Sequence, residues 1–78
     1  MSVSDKIKAA MTIKHLKNAD LAQYLGIAPQ SVRNKLYRDS FTAEDLIKIS
    51  DFLGCELAFI IDDKHKIILD MDDIKQDE

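Results

Sequence analysis

The chain has one cysteine, one proline and two glycines, and it carries no long apolar run; each shortage excludes something. A single cysteine cannot close an internal disulfide, which fits a reducing cytoplasm where the Cys55 thiol serves as a small apolar residue. No segment reaches the ~18 apolar residues of a spanning helix, and Met1-Ser2-Val3-Ser4-Asp5-Lys6 opens no apolar h-region of about 7–15 residues, so neither membrane insertion nor secretion is expected. No Gly-rich phosphate loop is present, and no Pro/Gly/Ser-rich linker, repeat or low-complexity tract divides the chain. With 78 residues, 46% of them hydrophobic and 32% charged, the composition is that of a single small globular domain spanning 1–78 rather than a disordered or collagen-like chain. A chain this short buries only about 60% of the surface its unfolded form exposes, which leaves no deep active site flanked by a second domain.

What is present is unevenly distributed. The net charge of −3 averages two unlike halves: residues 1–38 carry five Lys and two Arg against Asp5 and Asp20, 7 − 2 = +5, and residues 39–78 carry four Lys against twelve acids, 4 − 12 = −8. Such a split points to an anionic partner for the basic half and to a polarised molecule.

Hydrophobic spacing predicts helices first and strands last. Val3, Ile7, Ala10 and Met11 recur at i, i+4, i+7, i+8 and predict a first helix over about 3–14. Leu21, Ala22 and Leu25 mark a second over 18–25, stopped by Gly26, which accepts the left-handed conformation beyond a helix end. Pro29 suits the first turn of a third helix over 29–37, with Val32 and Leu36 stacked behind it. Thr42 caps a fourth over 43–53, where Glu44 and Asp45 meet the positive end of the helix dipole, Leu46, Ile49, Phe52 and Leu53 form the inner stripe, and Gly54 ends it. Beyond Gly54 the period changes. Strands over about 56–61 and 66–71 flank the polar Asp62-Asp63-Lys64-His65, a hairpin with a four-residue loop within 55–71, before a frayed acidic tail over 72–78. The fold class is mainly α with a C-terminal β-hairpin, an α+β arrangement.

Two short helices joined by a Gly-containing turn outline a DNA-binding helix-turn-helix. Over Leu21-Ala22-Gln23-Tyr24-Leu25-Gly26-Ile27-Ala28-Pro29-Gln30-Ser31-Val32 the chain resembles the lambda-repressor-like, Cro-type (XRE-like) helix-turn-helix family, and the likeness covers residues 3–54. Asn34-Lys35-Leu36-Tyr37-Arg38-Asp39-Ser40-Phe41 also looks like the end of the recognition helix in small bacterial regulators. Two positions depart from the family pattern. His15 stands where glycine is usual, although histidine tolerates positive φ; Lys17 stands where Thr or Ser would cap the second helix. The resemblance implies sequence-specific binding of double-stranded DNA by a small prokaryotic or phage-type transcriptional regulator, a repressor rather than an activator, working in the cytoplasm as a homodimer.

Rotation by about 100° per residue assigns the reading face. With Val32 at zero and Leu36 at about 40°, Asn34 falls at about 200°, Gln30 at about 160°, Tyr37 at about 140° and Arg38 at about 240°, all pointing away from the core. Arg33 and Lys35 lie on the flanks, at about 100° and 300°. Gln30 and Asn34 carry amides able to pair with adenine N7 and N6, whereas Arg33 can offer its fork either to guanine or to a phosphate. Gln30, Asn34, Arg33, Tyr37 and Arg38 are therefore the expected base readers. Lys17, Asn18, Ser31 and Lys35 suit phosphate oxygens, which position without specifying.

Strand alternation puts Leu57, Phe59 and Ile61 on one hairpin face with Ala58 and Ile60 on the other, and both faces are apolar. The surplus apolar surface makes Leu57, Phe59, Ile60 and Ile61 a candidate dimer interface, the arrangement the family resemblance implies. A protein-interaction module such as an antitoxin or anti-repressor is the competing reading, with the hairpin and acidic tail as its working surface. His15, His65 and Cys55 form no nucleophile–base–orienter set, so no enzyme is expected. The cluster of Asp62, Asp63 and His65 with the later Asp70, Asp72 and Asp73 lacks the glycine and twelfth-position Glu of a calcium loop, so no metal is expected. With no second domain to form a pocket, neither a cofactor nor a small-molecule ligand is expected.

Overall fold

A computed structural model of the protein describes residues 1–74. They form α1 (Val3–Ile13), α2 (Asn18–Leu25), α3 (Pro29–Arg38), α4 (Ala43–Leu53), β1 (Leu57–Asp62), β2 (His65–Leu69) and a short 3-10 turn, Met71–Asp73. By its internal contacts the chain divides into two compact units, Met1–Phe41 and a second that begins at Thr42.

In the first unit, α1 starts at a capping box. Ser2 Oγ accepts from the Asp5 N–H at 3.1 Å, and the Asp5 carboxylate accepts from the Ser2 N–H at 3.2 Å, so two donors left over by helix geometry are satisfied reciprocally. Asp5 also places negative charge at the positive end of the helix dipole. The helix stops one residue before its expected end, where His15 turns into the left-handed region at φ 59° and Leu16 N–H reaches back to Met11 O at 2.9 Å. Histidine here does what the absent glycine would have done.

α2 opens without a side-chain cap on Lys17, as the departure from Thr or Ser implied, yet its start is fixed. Asp20 accepts from the Lys17 N–H at 2.9 Å, supplying half of a capping box from inside the helix. Gly26 at φ 70° ends it, with Ile27 N–H bonded to Ala22 O at 3.1 Å. α3 follows after three residues with Pro29 in its first turn.

Ile7, Met11, Leu21, Ala22, Val32 and Leu36 are the buried apolar residues of this unit, with Leu21 and Val32 the largest of the fully enclosed side chains. Ala22, a small residue of α2, is itself buried at 2% exposure. The stripe of α1 departs from its spacing at one point: Val3 is exposed and Ser4 is buried instead. The reason is a polar anchor. Ser4 Oγ donates to Leu36 O at 2.6 Å and Ser4 N–H donates to Asp39 Oδ1 at 2.7 Å, so a residue 35 positions away ties the start of α1 to the end of α3.

Asp39 is itself left-handed, at φ 55°, and ends α3 one residue later than expected. The hydrogen bond from the Ser4 N–H holds its carboxyl below the ordinary aspartate range. A depressed folded-state pKa stabilises above the unfolded pKa, and that stabilisation is lost as pH falls through the folded value. Stability of the first unit is therefore expected to decline below about pH 4, and Asp39→Asn, which keeps an acceptor but cannot ionise, to flatten that acid limb. Circular dichroism melts from pH 7 to 2.5 check it; parallel profiles for parent and variant would remove Asp39 from the account.

In the second unit α4 carries another capping box, between Thr42 and Asp45 at 3.0 Å in each direction, and Gly54 ends it at φ 69°. Its buried stripe is rotated from the expected one. Ile47, Ile49, Ser50 and Leu53 are buried while Leu46 and Phe52 are half-buried. An idealised stripe places Leu46 and Phe52 inward and leaves out Ile47; Ser50 takes an inner place because its hydroxyl donates to Leu46 O at 2.7 Å.

The hairpin pairs Leu57 with Leu69, Ala58 with Ile68, Phe59 with Ile67, Ile60 with Lys66 and Asp62 with His65. Its turn is Asp63-Lys64 alone, shorter than the four-residue loop expected. Asp62 explains the difference, since it accepts from the Lys64 N–H at 2.9 Å and from His65 Nδ1 at 2.8 Å and so closes the turn within the ladder. The His65 contact comes first among the causes that lower the Asp62 pKa. A register shift between Ile60 and Asp62 leaves Ile61 as an extra residue, so the alternation expected to group Ile61 with Leu57 and Phe59 breaks there. β2 stops at Leu69 rather than Met71, because Asp70 caps the 3-10 turn by accepting from the Asp72 N–H at 3.0 Å. Asp72 and Asp73 of the expected frayed tail thus belong to an ordered turn, while residues 75–78 of that tail lie outside the described residues. Among the described residues no helix is long and apolar enough to cross a membrane.

Candidate nucleic-acid interface

α3 sorts its residues by side. Val32 and Leu36 are buried, while Gln30, Ser31, Arg33, Asn34, Tyr37 and Arg38 are exposed. The outward positions assigned by rotation are thus the solvent-facing ones, and Tyr37 at 91% exposure presents nearly its whole ring. Of the expected phosphate contacts, Lys17 and Ser31 are exposed and Asn18 and Lys35 half-buried. Lys17 and Asn18 stand at the N-terminal end of α2, where the helix dipole favours an anion, and Ser31 and Lys35 belong to α3.

Spacing alone did not show how the exposed groups hold one another. Gln30 Nε2 donates to Asn34 Oδ1 at 3.1 Å, and Gln30 Oε1 accepts from Arg33 Nη2 at 2.9 Å and Nε at 3.3 Å. The signal lay in the i, i+3 and i, i+4 intervals, which bring side chains together on a helix surface. Three of the expected base readers form one polar network. The structure draws neither Tyr37 nor Arg38 into it.

Elsewhere among the described residues, no three His, Cys, Asp or Glu side chains gather as a metal site, and Cys55 is an exposed free thiol. Asp62 and His65 are bonded to each other in the hairpin turn. The apolar residues expected at a dimer interface are largely uncovered: Phe59 is 60% exposed, Ile60 76% and Ile61 63%, whereas Leu57 is half-buried.

A short helix, a turn at a left-handed glycine and a second helix with a buried apolar side and an exposed polar one define a helix-turn-helix domain of the DNA-binding class. The family model of the bacteriophage CI repressor helix-turn-helix domain matches residues 3–66, and the chain belongs to that family. The repressor protein CI of Enterobacteria phage phi80 is 35% identical over 60 residues, which cover 77% of this chain and 25% of that repressor. The chain therefore spans about a quarter of the length of this curated relative. No solved structure gives a significant match. The lambda-repressor-like resemblance is borne out at the level of the helix-turn-helix family, and the family favours DNA binding over the protein-interaction reading.

Proposed function

We propose that this chain is the DNA-binding module of a prokaryotic or phage-type transcriptional repressor, acting in the cytoplasm as a homodimer on double-stranded operator DNA. The observation that carries the proposal is the exposed amide-and-guanidinium face of α3, Gln30, Arg33 and Asn34, opposite buried Val32 and Leu36. That face enters the major groove, where base edges display their donors and acceptors, with Tyr37 and Arg38 meeting bases at its C-terminal end. Lys17, Asn18, Ser31 and Lys35 fix the docking on phosphates. Residues 1–78 act as one module, which the family match across residues 3–66 supports. Catalysis, a metal and a cofactor have no part in this reading.

Dimerisation uses the hairpin. Leu57, Phe59, Ile60 and Ile61 supply apolar surface, and a second protomer doubles a modest set of DNA contacts. Selection from a random duplex pool, followed by light scattering of the selected complex, tests both statements. A pseudo-palindromic site with half-sites about one helical turn apart and two protomers per duplex is expected. Failure to enrich any sequence would sink the DNA reading, and one protomer on a non-repeated site would sink the dimer.

A further inference from the structure

We infer that Gln30 is a positioning residue that aims Arg33 at guanine, rather than a reader of adenine. The inference rests on the proposed major-groove docking of α3 and concerns which base it selects.

An amide recognises adenine by offering an acceptor and a donor side by side, to N6 and N7. Gln30 cannot do so in its present bonding. A carbonyl oxygen has two lone pairs, and Gln30 Oε1 receives two N–H groups from Arg33, Nη2 at 2.9 Å and Nε at 3.3 Å. Its Nε2 gives one hydrogen to Asn34 Oδ1 at 3.1 Å. What Gln30 leaves outward is a donor alone.

Arg33 is changed by the same bonds. On the bare helix it lies on the flank, at about 100°, from which either a base or a phosphate is within reach. Held along its Nε/Nη2 edge by a residue at about 160°, the guanidinium is drawn toward the outward face and presents its Nη1/Nη2 end. That end is a fork of two parallel N–H groups, the match for the paired acceptors O6 and N7 of guanine. The network as a whole offers Arg33 and Gln30 N–H groups and the Asn34 amide nitrogen, against a single remaining lone pair on Asn34 Oδ1. Guanine is the base whose major-groove edge is acceptor-rich, whereas adenine requires an acceptor in return. Because the arginine is already held, it also loses less rotamer freedom on docking.

The test is selection from a random duplex pool with the parent, Arg33→Ala, Arg33→Lys, Gln30→Ala and Gln30→Glu, followed by binding titrations on the parent's selected site. The parent is expected to select guanine at one position of each half-site, and guanine-to-adenine replacement there to weaken binding by roughly tenfold to a hundredfold. Arg33→Ala abolishes that preference, and Arg33→Lys, lacking the planar fork, retains little of it. Gln30→Ala cuts the preference to a few-fold, and Gln30→Glu, which still accepts from Arg33, restores it even though its added charge lowers affinity for every sequence. Thermal midpoints of all four variants should match the parent, since Gln30 and Arg33 are exposed. An enriched site without guanine, or a guanine preference indifferent to Arg33 or to Gln30, overturns this inference and leaves the DNA reading standing. No enrichment by the parent overturns both.

Discussion

Leu21→Ala is expected to lower the thermal midpoint of the helical unit by at least about 10 °C. Leu21 is 2% exposed and belongs to α2, whose packing on α3 makes the helix-turn-helix. Truncating an enclosed leucine removes its transfer free energy and leaves a cavity, together about 2–5 kcal/mol. A core in a chain under about 80 residues rarely supplies more than about 3–5 kcal/mol, so one side chain accounts for most of the margin. Tyr37→Ala is the control. At 91% exposure its removal should alter stability by no more than about 0.5 kcal/mol, and it separates loss of fold from loss of contact. Melting followed by circular dichroism reads both, and a Leu21→Ala midpoint within a degree or two of the parent would mean that α2 is not anchored there.

The second large effect concerns salt. Each phosphate neutralised by a lysine or arginine releases condensed counterions, and log K falls with log salt at a slope of about −0.9 per contact. If Lys17 and Lys35 of two protomers meet phosphates, as proposed, about four contacts give a slope near −3.6, so raising salt from about 50 to 200 mM weakens binding roughly 150-fold. Lys17→Gln should flatten the slope by about 1.8, one contact in each protomer, while leaving the preferred sequence unchanged. Titrations at four salt concentrations measure it. A parent slope near zero contradicts phosphate docking altogether, and an unchanged slope in the variant removes Lys17 from it. The overall charge of −3 is no obstacle, because counterion release is local and residues 1–38 carry +5.

Much of the fold was legible because it rests on residues whose local chemistry has few outlets. Gly26 and Gly54 adopt the left-handed stops expected of glycine, Pro29 occupies the first turn of α3, and Thr42 caps α4. His15 was legible by the weaker rule that histidine tolerates positive φ. What escaped depends on distant partners. Ser4 is buried in place of Val3 because Asp39 and the Leu36 carbonyl meet it there, and helical periodicity carries no information about a residue 35 positions away. The Ile61 bulge and the two-residue turn follow from the Asp62 carboxylate bonding within the hairpin, which alternation cannot register. At the candidate site, rotation about the helix axis found the exposed residues. It said nothing of Gln30 spending its carbonyl on Arg33, which is decided by rotamers.

The four left-handed stops also set a timescale. Because His15, Gly26, Asp39 and Gly54 each end a helix within its own last turn, the connections stay short: residues 14–17 join α1 to α2 and residues 26–28 join α2 to α3. Little chain entropy is lost in closing such loops, and the α2–α3 pairing joins neighbours in sequence. The helical unit accordingly falls among topologies that fold in microseconds to milliseconds. Synthesis at about 5–20 residues per second is far slower than this, so the helical unit folds as soon as its residues have left the ribosome.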